Sequence, residues 1–329
     1  MKALLSHAPG GAETLRVEDV PGPSPGPGEL LVRVRACAIN YPDVLIIEDK
    51  YQLKPPRPFA PGSEIAGEVE AAGEGVHGWA AGDRLIAATG YGGLVEKVVI
   101  PAERAIPLPP ERSFAEGSAL LLTYATAIHA LVDRGRLASG QTLLVLGAAG
   151  GVGIASVEVG KALGARVIAA VSSDEKAQAA RDAGADEAVV YPPRDADPKM
   201  LSQLFKDAAG PAGADVILDP VGGQYSEAAL RSIAWQGRFL VVGFPAGIAR
   251  LPLNLTLLKS CDVCGVFWGG FVARDPKANA AHVERLFRWW DEGRIRPRIS
   301  ETYPLERAGE AIAALRDRKA IGKLVVEIA

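Results

Sequence analysis

Hydrophobic residues follow one pattern in the first third of this chain and another in the rest. Over roughly the first 120 residues, short runs with β character lie between breakers rich in proline and glycine, and the run over 30–36 alternates apolar and basic residues. Such alternation is typical of a strand with one buried face. Similar runs cover 65–70, 84–87 and 94–100. The pattern predicts a compact, mostly β domain with irregular loops.

From residue 113 onward, helices and strands are predicted to alternate. The segment 113–131 is rich in alanine and leucine with few breakers, which indicates a helix. Strands then follow at 142–146, 166–171, 188–190, 215–218, 238–242 and 263–267, and helices at 152–163, 174–183, 198–208, 226–234, 278–291 and 305–316. The terminal run 323–328 has a strand pattern and is predicted to close back onto the first domain. Strands that are near-continuous apolar runs separated by helices indicate a parallel sheet buried on both faces. We therefore predict a doubly wound α/β domain.

A glycine-rich turn, GAAGGVG over 147–153, joins the predicted strand 142–146 to the predicted helix after it. Strand, turn and helix together aim backbone N–H groups and the positive end of the helix dipole at one point, where a pyrophosphate can bind. Gly150 would let phosphates approach the backbone, and Gly153 would let helix and strand pack closely. Ala148 replaces the usual first glycine. The predicted cofactor contacts are Ala149, Gly150, Gly151 and Val152, and the alternative is a tight turn without a ligand.

The residues after the predicted strand 166–171 bear on the choice of nicotinamide cofactor. An acid there would bind the ribose hydroxyls of NAD. Ser172, Ser173 and Lys176 instead offer hydroxyls and an ammonium, which suit a 2′-phosphate. Asp174 and Glu175 weaken this inference unless they serve only as partners of the helix dipole. A solvated helix position is the alternative for Lys176. The local sequence favours NADPH.

Length, charge and cysteine content narrow the function classes. The chain has 329 residues, a length typical of two domains. Its 36 basic and 39 acidic residues give a net charge of −3, so no basic field attracts nucleic acid or anionic lipid. Three cysteines and an early polar N-terminus fit a cytoplasmic setting without export. The longest uncharged stretch, 137–157, contains a glycine cluster, so we predict no membrane segment.

Three further segments, together with the glycine turn, carry a family resemblance. They are AINYPD at 38–43, PGSEIAG at 61–67 and GDR at 82–84. The chain resembles the medium-chain dehydrogenase/reductase superfamily, in its NADPH:quinone oxidoreductase branch, over essentially its whole length. The resemblance implies an α/β fold class, with a Rossmann doubly wound parallel sheet over 122–266. It also implies a discontinuous, GroES-like, mostly β catalytic domain over 1–121 and 267–329, with the active site in the cleft.

The resemblance also identifies the positions at which alcohol dehydrogenases of this superfamily bind catalytic zinc. These positions are Asn40, Ser63 and Leu122 here, and neither serine nor leucine is a good zinc ligand. A structural zinc site needs four closely spaced cysteines, whereas the first domain has only Cys37. Cys261 and Cys264 have the spacing of a redox or metal pair, but they precede an apolar strand and have no second pair, which favours buried small hydrophobes. We predict no metal.

Without zinc, reduction of a polarised C=O or C=C bond needs a hydride from the nicotinamide and a hydrogen-bond donor at the oxygen that gains charge. The resemblance places Asn40, Asp43 and Tyr51 at this catalytic end. Asn40 and Tyr51 would donate to the acceptor, and Asp43 would orient its neighbours rather than act as a base. The alternatives are that Asn40 only caps a turn and that Tyr51 only packs beneath the cleft.

The remaining cofactor contacts come from the resemblance. Thr126 would contact the nicotinamide, although its hydroxyl could simply bond within its own helix. Tyr191 and Arg318, with Lys176, would hold the 2′-phosphate. At two later strand ends the predicted contacts are Gly243, Phe244, Phe267 and Trp268, with core packing as the alternative for the aromatic rings. His129 has no acidic neighbour in sequence to orient it, so we predict a structural role.

Three functions are open. The leading hypothesis is a cytoplasmic, zinc-independent NADPH:quinone oxidoreductase with a small-molecule substrate. The second keeps fold and cofactor but reduces the C=C bond of an α,β-unsaturated thioester, aldehyde or ketone, with Tyr51 protonating the α carbon. The third is a catalytically idle NADPH-binding or interaction protein on a retained fold. The resemblance further implies a homodimer that pairs edge strands near 263–267.

Overall fold

The computed structural model describes residues 1–192 and 197–329. The strands are β1 (Lys2–Leu5), β2 (Arg16–Asp19), β3 (Glu29–Ala38), β4 (Glu64–Ala72), β5 (Arg84–Ala88), β6 (Lys97–Pro101), β7 (Ile106–Pro107), β8 (Thr142–Leu146), β9 (Arg166–Val171), β10 (Glu187–Val190), β11 (Ala214–Asp219), β12 (Ile233–Val241), β13 (Asp262–Gly265), β14 (Ile299–Pro304) and β15 (Lys323–Glu327). The helices are α1 (Tyr41–Ile47), α2 (Phe114–Ser118), α3 (Thr126–Ile128), α4 (Gly151–Ala162), α5 (Asp174–Asp182), α6 (Pro198–Ala209), α7 (Gln224–Leu230), α8 (Asn254–Lys259), α9 (Trp268–Arg274), α10 (Pro276–Asp291) and α11 (Ala308–Arg316).

The chain divides into two compact units. The first unit comprises Met1–Leu122 and Pro297–Ala329, and the second comprises Thr123–Arg296. The predicted return to the first domain at residue 267 therefore differs from the structure, in which the chain returns only at Pro297. The reason lies in α9 and α10, whose aromatic side chains pack within the second unit. The Phe271 ring stacks on the His129 ring with the ring centroids 4.1 Å apart. His282 Nε2 of α10 lies 3.5 Å from Asp133 Oδ1.

The second unit contains a six-stranded, all-parallel sheet in the order β10-β9-β8-β11-β12-β13. This order confirms the predicted doubly wound fold, and it places a topological switch point between β8 and β11. The inner strands are apolar on both faces. Leu144 clusters with Phe205 of α6, while a Cβ at Gly160 of α4 would lie 2.7 Å from Leu143 Cδ2, so helices cover both faces.

The first unit is built on a seven-stranded sheet in the order β14-β15-β3-β4-β5-β7, with β6 also paired to β3. Alternation in β3 leaves Arg33 exposed between the buried Val32 and Val34, which pack in the apolar core. The C-terminal strand β15 runs antiparallel to β3, with Val326 opposite Cys37. A strand from the end of the chain thus completes a sheet that begins near residue 29.

One helix among the described residues, Phe114–Arg134, is long and apolar enough to cross a membrane by length and composition alone. The structure buries 72% of its most apolar window, so burial accounts for its composition. Within it, π-helical stretches at Leu121–Ala125 and His129–Arg134 flank α3. Such irregular turns are common at functional sites.

Candidate functional site

The glycine turn of the second unit lies at the carboxyl end of β8, at the switch point of the sheet. Gly147 has a φ of +58°, a left-handed conformation that glycine adopts without strain. The Gly150 N–H donates to Gly147 O at 3.0 Å, and α4 begins immediately afterwards at Gly151. The backbone N–H groups in the first turn of α4 thus lie at the carboxyl edge of the sheet, where they can bind an anion.

Two glycines of this turn differ in whether the protein has space for a side chain at their positions. A Cβ at Gly153 would lie 2.2 Å from Gly147 O, so the close approach of helix and turn demands glycine there. A Cβ at Gly150 would meet nothing nearer than 3.5 Å, and its φ of −79° and ψ of 173° suit any residue. The protein itself therefore does not need glycine at position 150. An open cradle at this backbone fits the pyrophosphate of a dinucleotide.

The other predicted contacts in the turn differ in their exposure to solvent. Gly151 and Val152 are partly exposed at the start of α4. Ala149 is only 2% exposed, so it presents backbone rather than side chain. All three lie beside Gly150 in the chain and share its cradle.

Ser172, Ser173 and Lys176 come together at the carboxyl end of β9. Lys176 Nζ donates to Ser172 Oγ at 3.3 Å, and Ser173 Oγ caps α5 by accepting from the Lys176 N–H at 3.3 Å. Asp174 and Glu175 are exposed in the first turn of α5. An ammonium and two hydroxyls thus lie at the strand end where a bound dinucleotide would place its adenosine ribose. These three groups suit a phosphate on that ribose.

Tyr191 is packed within the second unit, and its role at the 2′-phosphate stays a prediction. It follows β10 and is only 5% exposed, and its ring packs against Phe205 and Tyr225 with centroid distances of 6.1 and 4.8 Å. The ring is therefore part of the apolar core of the second unit.

The predicted contacts at the other strand ends also belong to the second unit. Gly243 and the half-exposed Phe244 follow β12, and the Gly243 N–H donates to Asp219 O at 3.3 Å. Phe267 is exposed ahead of α9, and Trp268 Nε1 donates to Asn279 Oδ1 at 2.9 Å. Thr126 opens α3 and is partly exposed.

Arg318 belongs to the first unit, in the turn after α11, with a φ of +59°. It is exposed, and its charge acts on Tyr41, whose pKa is raised mainly by burial. Arg318 therefore belongs to a different unit from Lys176 and Tyr191.

Asp219 organises the loop at the carboxyl end of β11 and was missed by sequence reasoning. Its Oδ1 accepts from the Val221 and Gly222 N–H groups at 2.8 Å each, and Ser226 Oγ donates to its Oδ2 at 2.5 Å. Burial raises the pKa of this carboxyl, against those hydrogen bonds. An aspartate directly after the predicted strand 215–218, and shortly before two glycines, is the signal that could have identified the turn.

The first unit holds a buried polar network around α1. Its members, all buried, are Asn40, Asp43, Ser63, Glu64 and Lys323. Lys323 Nζ donates to Asn40 Oδ1 at 2.6 Å and to Glu64 Oε1 at 2.8 Å. Glu64 Oε2 accepts from the Leu122 N–H at 2.9 Å. A buried ion pair with its remaining groups hydrogen-bonded is the form in which such charges are tolerated.

Asn40 is held on both ends of its side-chain amide. Nδ2 donates to Glu64 Oε1 at 2.8 Å, to Ala38 O at 3.2 Å and to Ser63 Oγ at 3.3 Å, while Oδ1 accepts from Lys323. Its donors are thus engaged within the protein. A direct bond from Asn40 to an acceptor molecule would have to replace one of these bonds.

Asp43 has the orienting geometry predicted for it. Its Oδ2 accepts from the Asn40 N–H at 2.7 Å and its Oδ1 from the Gly62 N–H at 3.0 Å. Burial raises the pKa of Asp43 to about 7, against the lowering effect of these bonds and of Lys323. The carboxyl ties α1 to the loop that precedes β4.

Tyr51 lies in the segment after α1 and is partly exposed. Burial, followed by the nearby Asp43, raises the pKa of its phenol. The hydroxyl therefore keeps its proton near neutral pH and can donate a hydrogen bond.

The residues at the three zinc-ligand positions do not fit a zinc ion. Asn40 and Ser63 are joined by a hydrogen bond of 3.3 Å, and Leu122 offers only an N–H, which donates to Glu64. The Lys323 ammonium already lies against Asn40 and Glu64, and it would repel a second cation. Across 1–192 and 197–329, no group of three or more His, Cys, Asp or Glu side chains could hold a metal ion. Glu64 and Lys323 were not identified from sequence, since one lay inside a motif and the other began a strand pattern.

Two further expectations are modified by the structure. His129 does have an acidic partner, because Asp133, one turn along the helix, places Oδ2 2.6 Å from His129 Nδ1. Cys261 is buried, and burial raises the pKa of its thiol, as expected for a small hydrophobe. Cys264 is only partly buried, and both cysteines are free.

Comparison with known proteins gives consistent matches over both units. The family model described as an alcohol dehydrogenase GroES-like domain matches residues 26–110, and the one described as a zinc-binding dehydrogenase matches 151–285. Quinone oxidoreductase-like protein 2 of Bos taurus is 36% identical over 316 residues, which cover 95% of this chain and 89% of the relative.

Two solved structures extend the comparison. Escherichia coli quinone oxidoreductase, solved in complex with NADPH, has a TM-score of 0.91 and 28% identity, covering 99% of this chain and all of that one. An NAD-dependent alcohol dehydrogenase has a TM-score of 0.89 and 31% identity, with both chains covered completely.

Proposed function

Because the chain belongs to the medium-chain dehydrogenase/reductase superfamily, in its quinone oxidoreductase branch, we propose that it transfers a hydride from NADPH to a quinone without zinc. One observation carries the proposal: the three zinc-ligand positions are bonded into one network with Glu64 and the Lys323 ammonium, and they offer hydrogen-bonding groups instead of metal ligands. A bound zinc ion would act as a Lewis acid that polarises a carbonyl oxygen. A quinone is electron-poor enough to accept hydride with hydrogen bonding alone.

The roles of the chain's own residues follow from their places. Gly150, Gly151 and Val152 would hold the pyrophosphate, and the hydroxyls and ammonium of Ser172, Ser173 and Lys176 would hold the 2′-phosphate. When bound, NADPH would supply the hydride. Each of these groups is an ammonium, a hydroxyl or a backbone N–H, all of which donate hydrogen bonds to phosphate oxygens.

At the acceptor end, Tyr51 would donate its phenolic proton in a hydrogen bond to the quinone oxygen that gains charge. Asp43 and Lys323 would hold Asn40 in place rather than exchange protons with the substrate. Asn40 would shape the polar wall of this end, because its own donors are engaged in the network.

A second candidate is reduction of the C=C bond of an α,β-unsaturated thioester, aldehyde or ketone. The observation that favours it is the partly exposed phenol of Tyr51, which offers the proton that this reaction needs at the α carbon. An idle NADPH-binding protein is the third candidate. It would keep the open cradle at Gly150, so turnover of an acceptor is what separates it from the first two candidates.

Steady-state rates with matched acceptors test the proposal. NADPH oxidation is measured with a panel of benzoquinones and naphthoquinones, with a panel of short enoyl-CoA thioesters and enones, and with NADH in place of NADPH. We expect quinone reduction with a higher kcat/KM for NADPH than for NADH, and a loss of roughly 10-fold in Lys176→Ala with NADPH alone. The exposed Lys199→Ala controls for the loss of one positive charge.

Activity confined to the enoyl or enone panel would favour the second candidate. Tight NADPH binding without turnover of any acceptor would favour the third. Equal kcat/KM for both cofactors, unchanged in Lys176→Ala, would overturn the assignment of Lys176.

We propose that the protein is a homodimer that associates through β13 and α8. β13 is the edge strand of the six-stranded sheet, and Val263 on it is exposed. On and near α8, Leu257 and Leu258 are 77% and 64% exposed, and Leu253 is 76% exposed. An unpaired strand beside an exposed apolar helix favours association with a second copy. The cytoplasmic location remains a prediction.

A further inference from the structure

Glu158 is a buried carboxyl that the proposed reaction does not use. It lies on α4, the helix that begins at the glycine turn, and it is 8% exposed. Its Oε2 accepts from the Tyr124 hydroxyl at 2.6 Å and from the Arg296 N–H at 2.9 Å. Tyr124 is itself almost fully buried. A buried carboxylate that accepts two bonds at one oxygen fixes both donors relative to its own helix.

The two donors lie at the ends of the second unit. The chain enters this unit at Thr123 and leaves it after Arg296. Tyr124 is thus the second residue after the entry, and Arg296 is the last residue before the exit. One carboxyl oxygen on α4 anchors the backbone at both points where the chain passes between units.

Tyr124 also lies next to a predicted cofactor contact. It belongs to the π-helical stretch Leu121–Ala125, which leads directly into Thr126 at the start of α3. The turn at Gly150, at the other end of the predicted cofactor site, leads directly into α4, the helix that carries Glu158. A π-helical stretch replaces the usual α-helical ladder with wider i→i+5 bonds and is rare outside short insertions, so an external bond to Tyr124 has a positional effect.

We propose that Glu158 is a positioning residue: through Tyr124 and the Arg296 amide it holds the Thr126 segment at a fixed distance from the pyrophosphate turn. The kinetic part of this inference rests on the proposed function. The structural part, the anchoring of residues 124 and 296, stands independently of any substrate.

The charge state of Glu158 sets the strength of the anchor. Burial raises its pKa to about 7, while the bonds from Tyr124 and from the Arg296 N–H, and the Arg296 charge, lower it. Burial and Glu158 raise the pKa of Tyr124 well above its usual value, so the tyrosine is the donor. Other titratable groups near α4 are engaged elsewhere, His129 with Asp133 and Lys161 with Asp186. The ionised carboxylate accepts the stronger bonds, and protonation below about pH 7 weakens the anchor.

Hydrogen exchange at the Arg296 amide tests the anchor directly. Exchange rates, corrected for intrinsic pH dependence, are measured at single-residue level from pH 5.5 to 8.5 in the full chain. We expect protection at Arg296 that increases toward high pH in the wild type, is lost in Glu158→Ala, and is retained without pH dependence in Glu158→Gln. Ser156→Ala is the control, because Ser156 is buried on the same helix and its hydroxyl donates to Val152 O within that helix. Equal protection at Arg296 in wild type and Glu158→Ala would overturn the proposal.

Kinetics with NADPH and a quinone test the positioning role. Glu158→Ala is expected to lower kcat about 10-fold while the Kd for NADPH, from its fluorescence, changes less than about 2-fold. Glu158→Gln should restore most of kcat and flatten its pH profile near 7. Tyr124→Phe, which keeps the Arg296 bond, should lower kcat yet leave Arg296 protected, and it serves if Glu158→Ala does not fold.

Two failures are distinguishable. A wild type that oxidises NADPH with no acceptor rejects the proposed function and leaves the exchange result to decide the anchor. An active wild type whose kcat and pH profile are matched by Glu158→Ala and Glu158→Gln rejects the positioning role.

Discussion

At the scale of single residues, two buried carboxyls have the same unusual preference for a proton. Burial raises the pKa values of Asp43 and Glu158 to about 7, Asp43 in the first unit and Glu158 in the second. In the unfolded chain both groups ionise at ordinary values near pH 4. Between about pH 4 and 7 the native protein therefore holds protons that the unfolded chain has released. Stability from this source is present at low pH and is lost as the pH rises toward 7.

Asp43→Asn tests this linkage. In the pH range where Asp43 is protonated in the native state but ionised in the unfolded chain, each rise of one pH unit lowers the free energy of unfolding by about 1.4 kcal/mol. We expect the wild type to lose stability between pH 5 and 7 and the variant to lose less, measured by urea unfolding at half-unit intervals. The variant also loses one acceptor for the Asn40 and Gly62 amides, which lowers its stability at pH 7.5 by roughly 1–3 kcal/mol. The exposed Asp174→Asn is the control, and an unaltered slope in Asp43→Asn would contradict the assignment.

At the scale of elements, β8, the glycine turn and α4 form one piece in which two glycines have separate duties. Gly153 is required by the backbone of Gly147, whereas Gly150 has room for a methyl group. The first is a packing requirement of the protein, and the second leaves space for a ligand.

A pair of alanine substitutions separates these duties. Gly150→Ala should change the free energy of unfolding by less than about 1 kcal/mol and weaken NADPH binding at least about 10-fold, because the methyl group occupies the phosphate approach. Gly153→Ala should destabilise the protein by about 1–3 kcal/mol or more, because the helix must move away from Gly147. Thermal unfolding without cofactor and NADPH fluorescence titration measure both. Tight NADPH binding by Gly150→Ala would contradict the assigned phosphate site.

The parts of the molecule that follow from local sequence were predictable. Strands β8 and β9 have the bounds predicted from their apolar runs, and the turn after β8 was identified by its glycines. Arrangements that join distant residues were not predictable. Lys323 bonds to Asn40, although most of the chain separates the two residues in sequence. The ring of Tyr191 packs against Tyr225, a contact that the local sequence around Tyr191 does not indicate.

Errors at element boundaries have a similar cause. The predicted helix 226–234 ends in the structure at Leu230, and β12 begins at Ile233 because residues 233–241 pair with β11. Helix α9 was not predicted, since its Gly-Gly pair disfavours a helix and the Phe271–His129 stack holds it from outside. Tertiary packing overrides local preference at both places.

At the scale of the whole molecule, the exposed apolar residues of α8 and β13 bear on the assembly state. Leu257→Asp should convert a dimer of twice 34.4 kDa into a monomer, because a carboxylate buried between copies has no partner. Sedimentation at micromolar concentration measures the mass. Met200→Asp, at a comparably exposed apolar position on α6, is the control. A wild-type mass near 34.4 kDa would contradict the dimer.

The closing strand β15 also constrains how the protein is made. The ribosome completes the second unit's residues before it synthesises Lys323, which neutralises the buried Glu64, and Val325–Val326, which pair with β3. The first 122 residues thus leave the ribosome with an unpaired sheet edge and an uncompensated carboxylate. We expect the domain that is translated first to mature last, and ribosome-arrested chains of increasing length would show its protease resistance only after residue 327 has emerged.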